Sequence, residues 1–498
     1  MQSPRAAGGV QGQMARGAVW MVLFKLLERS IGLVSTLILA RVLIPADFGI
    51  VAMAMTFIAM AELLTAFGFD IALIQNRDAS VDDYNTAWTG NLLLGLAIML
   101  AMLAAAVPIS QFYREPELVS VVALLALGPA ISGAENIGVV AFRKELSFRR
   151  EFVFQLSRKL IGFSVVVPLA FLLQNHWALV AGTLASKLAA TVISYLMHPF
   201  RPRPSLKRIG ELFHFSKWIL LHNVVAFARE RSSDFFVGRM FGAATLGTYN
   251  ISYEFANLPT TELGAPINRA LLPGFAKMES GDDVASAYRN AIGLLAWLAL
   301  PVAAGLFAVA PFFVPVVLGT KWLDAVPLMR ALALNGVVLM LQASMCTVLI
   351  GRGFPARVAA ANIIYVIVLL PMLGVFALQF GIVGVAYAAL LSGVVCTPMY
   401  LWQIQRSIQI RPSVFLRAIW RPALASLGMV AIVVWALPAY TVTMSLAQTA
   451  GWLLVGISIG AGVYLVLASV LWVIAGKPAG PERVLIERAS ALLPGRRR

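Results

Sequence analysis

Three ionisable side chains stand inside one apolar segment: Lys25, Glu28 and Arg29 in WMVLFKLLERSIGLVSTLILAR, residues 20 to 41. At 1.5 Å per residue from a helix start near residue 17, Lys25 and Arg29 lie roughly 12 to 18 Å into an apolar layer of about 30 Å. A charge at that depth costs at least about 2.5 kcal/mol even on the most lenient scale, so it must meet protein or water rather than lipid. On a helical wheel Lys25, Glu28, Arg29, Gly32 and Thr36 share one face, and Leu23, Leu27, Val34 and Ile38 take the opposite one. Guanidinium and ammonium groups so placed can hold an anion, and the guanidinium fork matches phosphate oxygens. A carboxylate in low dielectric can instead titrate near neutral pH and carry a proton, or hold sodium. The third role is plain ion pairing, Lys25 with Glu28 or Arg229 with Glu230.

The pattern recurs downstream. In KWILLHNVVAFARERSSDFFVGR (217 to 239) Asn223, Glu230 and Asp234 share a face flanked by His222 and Arg229, opposite Val224, Ala228 and Phe235. The segment after it carries Glu254, Glu262 and Arg269, with Pro259, Gly264 and Pro266 placed to break the helix. Arg158, Lys159 and Lys187 add cations to the fifth and sixth apolar segments. Cations outnumber anions in these segments, so the expectation is a water-filled cavity that awaits an anionic ligand. Its candidate ligand-binding residues are Lys25, Arg29, Arg158, Lys159, Lys187, Arg229 and Arg269. Glu28, Glu62, Asp234, Glu254 and Glu262 are the candidates for proton or sodium coupling, each equally placed to be a static partner of a neighbouring base.

The elements that must position these groups are membrane helices. Of 498 residues 60% are hydrophobic and 12% charged, with a mean hydropathy of +0.83, where soluble domains carry about 25% charged residues. Windows of about 19 residues give roughly fourteen spans, near 17–40, 46–68, 87–109, 118–140, 153–173, 177–197, 215–238, 245–271, 288–318, 325–350, 357–379, 382–404, 416–436 and 449–475. The polar seventh and eighth fall below what hydropathy alone detects. The net charge of +16 sits in short connections rather than on a folded soluble domain, which disfavours nucleic acid. With the N-terminus cytoplasmic, about 25 Lys and Arg lie on the cytoplasmic side against about four on the other, the positive-inside asymmetry. Both termini of this multi-pass membrane protein are therefore expected in the cytoplasm. The segment before the first span lacks a cleavage site, so a removable signal peptide is not expected. Cys346 and Cys396 fall inside apolar runs and are expected as small core residues.

Sliding the sequence on itself by 198 positions lays ARVLIPADFGIVAMAMTF (40 to 57) over GRMFGAATLGTYNISYEF (238 to 255) without a gap. Arg41 meets Arg239, Ala46 meets Ala244, Gly49 meets Gly247 and Phe57 meets Phe255. An even number of spans separates the copies, so both halves enter the membrane in the same direction, related by an axis along the membrane normal. The expected organisation is an N-terminal lobe over 1–200, a cytoplasmic linker over 201–214, a second lobe over 215–405, and two further spans with a basic tail over 406–498.

No H-E-x-x-H, G-x-S-x-G or phosphate-loop motif is present, and no connection is long enough for an extramembranous catalytic domain. Asp82 with Asp83, which a glycosyltransferase would need in a nucleotide-binding fold, reads as a solvated loop. The expectation is a transporter and not an enzyme, without cofactor or metal. A small-cation drug exporter would need an anionic cavity, whereas a peptidoglycan-precursor flippase and a polysaccharide carrier cannot be separated on charge.

ARVLIPADFGIVAMA, followed by GFDIALIQNRD and NTAWTGNLLLG, and then SSDFFVGRMFGAATLGTYNISYEFANLPTTELGAPINRALLPGFAKM, resembles the polysaccharide-transporter branch of the multidrug/oligosaccharidyl-lipid/polysaccharide exporter superfamily. The resemblance is greatest to its Wzx-type oligosaccharide flippases, over residues 20 to 155 and 215 to 280. It implies an all-α bundle of two six-helix lobes plus two helices. It also implies alternating access that moves undecaprenyl-pyrophosphate-linked repeat units to the periplasmic leaflet, in a pathway shared with glycosyltransferases and a polymerase. The cavity cations of the family correspond in kind to Lys25, Arg29, Arg229 and Arg269.

Overall fold

A computed structural model describes residues 5–63, 69, 73–74, 78–145, 147–208, 217–258, 260–278 and 280–478. The end of the second expected span (64–68), most of 70–77, linker residues 209–216 and the basic tail from 479 onward lie outside the described residues. Among the described residues every regular element is a helix: α1 Arg5–Val42, α2 Pro45–Glu62, α3 Val81–Tyr113, α4 Leu118–Leu125, α5 Leu127–Gly133, α6 Val140–Lys144, α7 Phe148–Leu173, α8 Trp177–Met197 and α9 Lys217–Ala256. After a π-helical turn at Thr260–Gly264 follow α10 Ala265–Lys277, α11 Gly281–Val317, α12 Ala325–Gly351, α13 Pro355–Ile408, α14 Pro412–Ala436 and α15 Leu446–Ile474.

The chain is a multi-pass membrane protein. Nine helices among the described residues are long and apolar enough to cross a bilayer, and the bent pair Leu118–Gly133 and Ile137–Lys144, at 62°, makes a tenth if it is one span. α1 and α9 are not among the nine, because Lys25, Glu28 and Arg29 interrupt one and Arg229 to Asp234 the other. Two long helices bend at glycines in the left-handed region, Gly242 in α9 (φ 80°) and Gly381 in α13 (φ 62°). A side chain rarely adopts that backbone, so glycine permits a sharp bend without a break in the hydrogen-bonded chain. The bends fall between expected spans seven and eight and between eleven and twelve. Large apolar side chains face outward along the helices, Leu172, Leu196 and Leu378 each 78% exposed, as a surface in contact with acyl chains requires.

The chain divides into two compact units, Met1–Gly247 and Thr248–Arg498, with α9 running through the boundary. In the first, α1 and α7 lie side by side in the same direction: Trp20 packs on Phe152 at 5.0 Å, and Leu39 and Leu43 meet Val166 and Ala170. α7 and α8 approach closely where Gly182 faces Val166 and Gly162 faces Ser186, the small-residue contact by which helices associate in lipid. In the second unit α11 packs on α12, α14 and α15 around Phe312, Met429, Val433 and Tyr464. Pro311 inside α11 removes the donor that would serve the Phe307 carbonyl, and the Arg330 Nε–H donates to it instead at 3.0 Å. Cys396 is buried and Cys346 half-buried.

Asp82 and Asp83 form no solvated loop. They occupy the first turn of α3, where the Ser80 backbone N–H donates to Asp83 Oδ2 at 2.7 Å and the Asp83 N–H donates back to Ser80 Oγ. Asp83 is buried with Arg208 at 3.5 Å, because an acid at that position satisfies helix-terminal amides that nothing else reaches. The same end of the first unit carries a buried knot. The Asn136 side chain donates to the carbonyls of His198 and Phe200 and accepts from Gly138, while its backbone N–H donates to Ser194 Oγ.

Candidate functional site

The charged face of α1 meets α7. Lys25 Nζ lies 2.8 Å from Glu28 Oε2, with side chains 56% and 36% exposed, so this pair is made within one helix and stays wet. Lys25 also stands over the Phe24 ring at 5.5 Å. One turn on, the Lys159 ammonium of α7 covers Gly32, since a Cβ there would stand 3.9 Å from Nζ. Lys25, Glu28, Arg29 and Lys159 therefore share one half-exposed patch, with Arg29 half-buried in its middle. Leu23, Leu27 and Val34 are exposed on the opposite side of α1, as the helical wheel requires.

The remaining cations are spread around this unit. Lys187 of α8 pairs with Glu62 of α2 at 3.0 Å and lays its stem along Gly128. Arg158 is exposed, with its carbonyl accepting from Ser186 Oγ at 3.3 Å. On α9, Arg229 is half-buried, while Asp234 is buried and takes Arg231 as its partner at 3.0 Å. In the second unit Glu254 is half-buried, and Glu262 lies exposed in the π-helical turn, where Thr261 Oγ1 donates to it at 3.1 Å. Arg269 is exposed on α10, and Pro259 is outside the described residues. The described residues thus bring Lys25, Glu28, Arg29 and Lys159 together and join Lys187 to Glu62. They do not bring Arg158 into an ion pair of its own among those resolved.

A second arrangement, at the opposite end of the first unit from the Asn136 knot, escapes a search for charges. α2 begins at Pro45 and crosses α9 just beyond its bend. A Cβ on Gly49 would fall inside the van der Waals shell of the Ala243 carbonyl, and a Cβ on Gly247 inside that of the Pro45 carbonyl. Pro45 and Ala243 are equivalent under the shift of 198 positions, and so are Gly49 and Gly247. The contact is reciprocal, as at a two-fold interface where residue i meets j and j meets i. Around it Phe57 meets Phe235 edge-on at 5.2 Å, and Tyr113 packs against Gly238. The sequence signal was available as small residues four apart in both copies, P-x-x-x-G and A-x-x-x-G.

The family whose model describes a polysaccharide biosynthesis protein matches residues 38–327, more than half of the chain. The chain belongs to that family. It is 24% identical over 426 residues to the lipopolysaccharide biosynthesis protein WzxC of Escherichia coli (strain K12), covering 82% of this chain and 85% of that protein. It is 25% identical over 329 residues to the succinoglycan biosynthesis transport protein ExoT of Rhizobium meliloti (strain 1021), covering 66% and 67%. Among solved structures the fold is similar to the lipid II flippase MurJ in an inward closed conformation, with a TM-score of 0.74 at 14% identity over 91% of this chain and 99% of that one. At that identity the likeness shows the fold, an all-α polytopic membrane architecture.

Proposed function

We propose that this protein is a flippase for lipid-linked oligosaccharides, carrying undecaprenyl-pyrophosphate-linked repeat units from the cytoplasmic to the periplasmic leaflet of the bacterial inner membrane by alternating access. It is a transporter rather than an enzyme, with both termini in the cytoplasm. Family membership, with relatives named for lipopolysaccharide and succinoglycan biosynthesis, is the observation that carries this reading. The physical chemistry agrees with it. Among the described residues Lys25, Arg29 and Lys159 gather with Glu28 on a polar helix face, which suits a pyrophosphate better than the organic cations of a drug exporter. Arg158, Lys187, Arg229 and Arg269 extend the anion-attracting field, and Glu62, Asp234, Glu254 and Glu262 remain candidates for ion coupling.

Flipping of the peptidoglycan precursor is the second reading, supported by fold likeness to MurJ alone. Vesicles loaded with fluorescent undecaprenyl-pyrophosphate oligosaccharide or with lipid II discriminate the two. The Lys25→Gln/Arg29→Gln variant should insert normally and lose oligosaccharide transport. Full transport by that variant, or transport of lipid II only, would overturn the proposal.

A further inference from the structure

His176 lies just ahead of α8, at the end of the first unit where α1 gives way to α2. Its side chain is 9% exposed and sits between two carboxylates: Nδ1 is 3.7 Å from Asp47 Oδ1 and 3.8 Å from Glu117 Oε2. The ring leans on Trp177 at 5.0 Å between centroids. Nε2 is buried and makes no hydrogen bond among the described residues. These separations are too long for hydrogen bonds and short enough for ion pairs, so a neutral ring gains little there and a protonated ring gains both partners. Among the described residues the charged groups at this end of the adjoining elements include Arg41 at the end of α1 and Arg114 and Glu115 in the α3–α4 connection, while Glu62 of α2 and Lys187 of α8 pair with each other and the first turn of α8 has no acid.

Both carboxylates lead to the crossing of α2 and α9. Asp47 belongs to the first turn of α2, where its Oδ2 accepts the Ile44 N–H at 3.0 Å, and the same turn holds Pro45 and Gly49 against Gly247 and Ala243. Glu117 belongs to the α3–α4 connection, whose Glu115 reaches the bend of α9: a Cβ on Gly242 would stand 3.9 Å from Glu115 Oε1. The imidazole therefore sits between a group tied to one side of the crossing and a group tied to the other.

We propose that His176 is a proton-binding site that latches this crossing shut. A proton taken from periplasmic water makes the ring cationic and draws Asp47 and Glu117 onto it, which holds the first turn of α2 and the bend of α9 together. Opening of the crossing separates the carboxylates and returns the proton. The cationic ring favours the closed form, in which both carboxylates are at hand, and loss of the proton releases them. The inference rests on the flippase reading for its purpose: after an anionic lipid is released outward, the more acidic periplasm favours closing behind it.

Spin labels on Ile44→Cys and Met240→Cys, in a full-length chain with Cys346 and Cys396 replaced by Ala, report the separation of the two sides in vesicles without substrate. Both labelled positions are exposed. The ratio of short to long separations should rise about fivefold from pH 7.5 to pH 5.5, the change that about 1 kcal/mol of ion pairing gives. His176→Gln should abolish that rise. Glu117→Gln removes a carboxylate that is 63% exposed, carries no folding risk of the same kind, and should reduce the rise as well. A pH response in both variants equal to that of the parent overturns the latch. Oligosaccharide flux in the same vesicles separates the two ideas: an unresponsive crossing in a chain that transports defeats the latch alone, whereas a responsive crossing in a chain that moves no oligosaccharide defeats the flippase reading and leaves the latch standing.

Discussion

Adding one methyl group at the α2–α9 crossing tests whether that contact closes in the transport cycle. In Gly49→Ala the new Cβ would overlap the carbonyl oxygen, carbonyl carbon and Cα of Ala243, and in Gly247→Ala it would overlap the Pro45 carbonyl and the Gly49 nitrogen. All of these are backbone atoms, so no side chain can rotate away and the helices must separate. Overpacking of this kind costs about 1–3 kcal/mol. A bias of that size moves a two-state equilibrium about 5- to 150-fold. Because the contact is reciprocal, the two single variants should shift by similar amounts, and the double variant should fall short of their sum because both strain one crossing. The Ile44–Met240 spin-label pair reads the shift as growth of the long-separation population, and oligosaccharide flux should fall with it. Gly451→Ala, where a Cβ would meet nothing within 4 Å, is the control and should change neither. Unchanged separations in both single variants would refute the reasoning, since a rigid or absent contact feels no methyl group.

Three further outcomes follow from the first unit. Lys187→Met removes a partly exposed ion pair and should lower the thermal midpoint of the purified protein by the equivalent of about 0.5–1 kcal/mol. Asn136→Ala takes the acceptor from the buried Gly138 N–H and leaves the carbonyls of His198 and Phe200 with Arg201 as donor, and should cost about 1–3 kcal/mol, read as a lower unfolding temperature. Burial holds the His198 ring below its usual 6.5, with Glu145 opposing and Arg150 and Arg201 adding to the effect. A base kept neutral by folding contributes stability above its unfolded value and loses it as pH falls, so the protection factors for hydrogen exchange over 198–205, taken against the intrinsic rate at each pH, should fall between pH 7.5 and 5.5.

Much of the architecture was legible because lipid imposes one rule on every helix: long apolar stretches end where polar connections begin. The expected boundaries near 238–245 and 379–382 coincide with bends at Gly242 and Gly381, where DNA-encoded glycine alone signals a backbone that other residues avoid. The polar face of α1 was equally visible, since wheel geometry follows from residue spacing, and its exposed Leu23 and Val34 lie where that geometry puts them. Partner choice was not visible. Spacing offered Arg229 as a partner for Glu230 on α9, whereas Asp234 takes Arg231 and Glu62 takes Lys187 from 125 positions away. Asp83 misread as solvated because the sequence does not say that a loop folds back to bury a helix cap.

By itself the sequence determined that this chain lives in a bilayer and that its early and middle helices carry charged side chains on one face. Those properties depend on composition and on spacing along a helix, which are local. Only the tertiary structure decided that Gly49 and Gly247 lie against the backbone of each other's neighbours and that His176 stands between Asp47 and Glu117. These contacts join residues far apart in the chain, and their energy depends on separations of an ångström or less, which no one-dimensional pattern encodes.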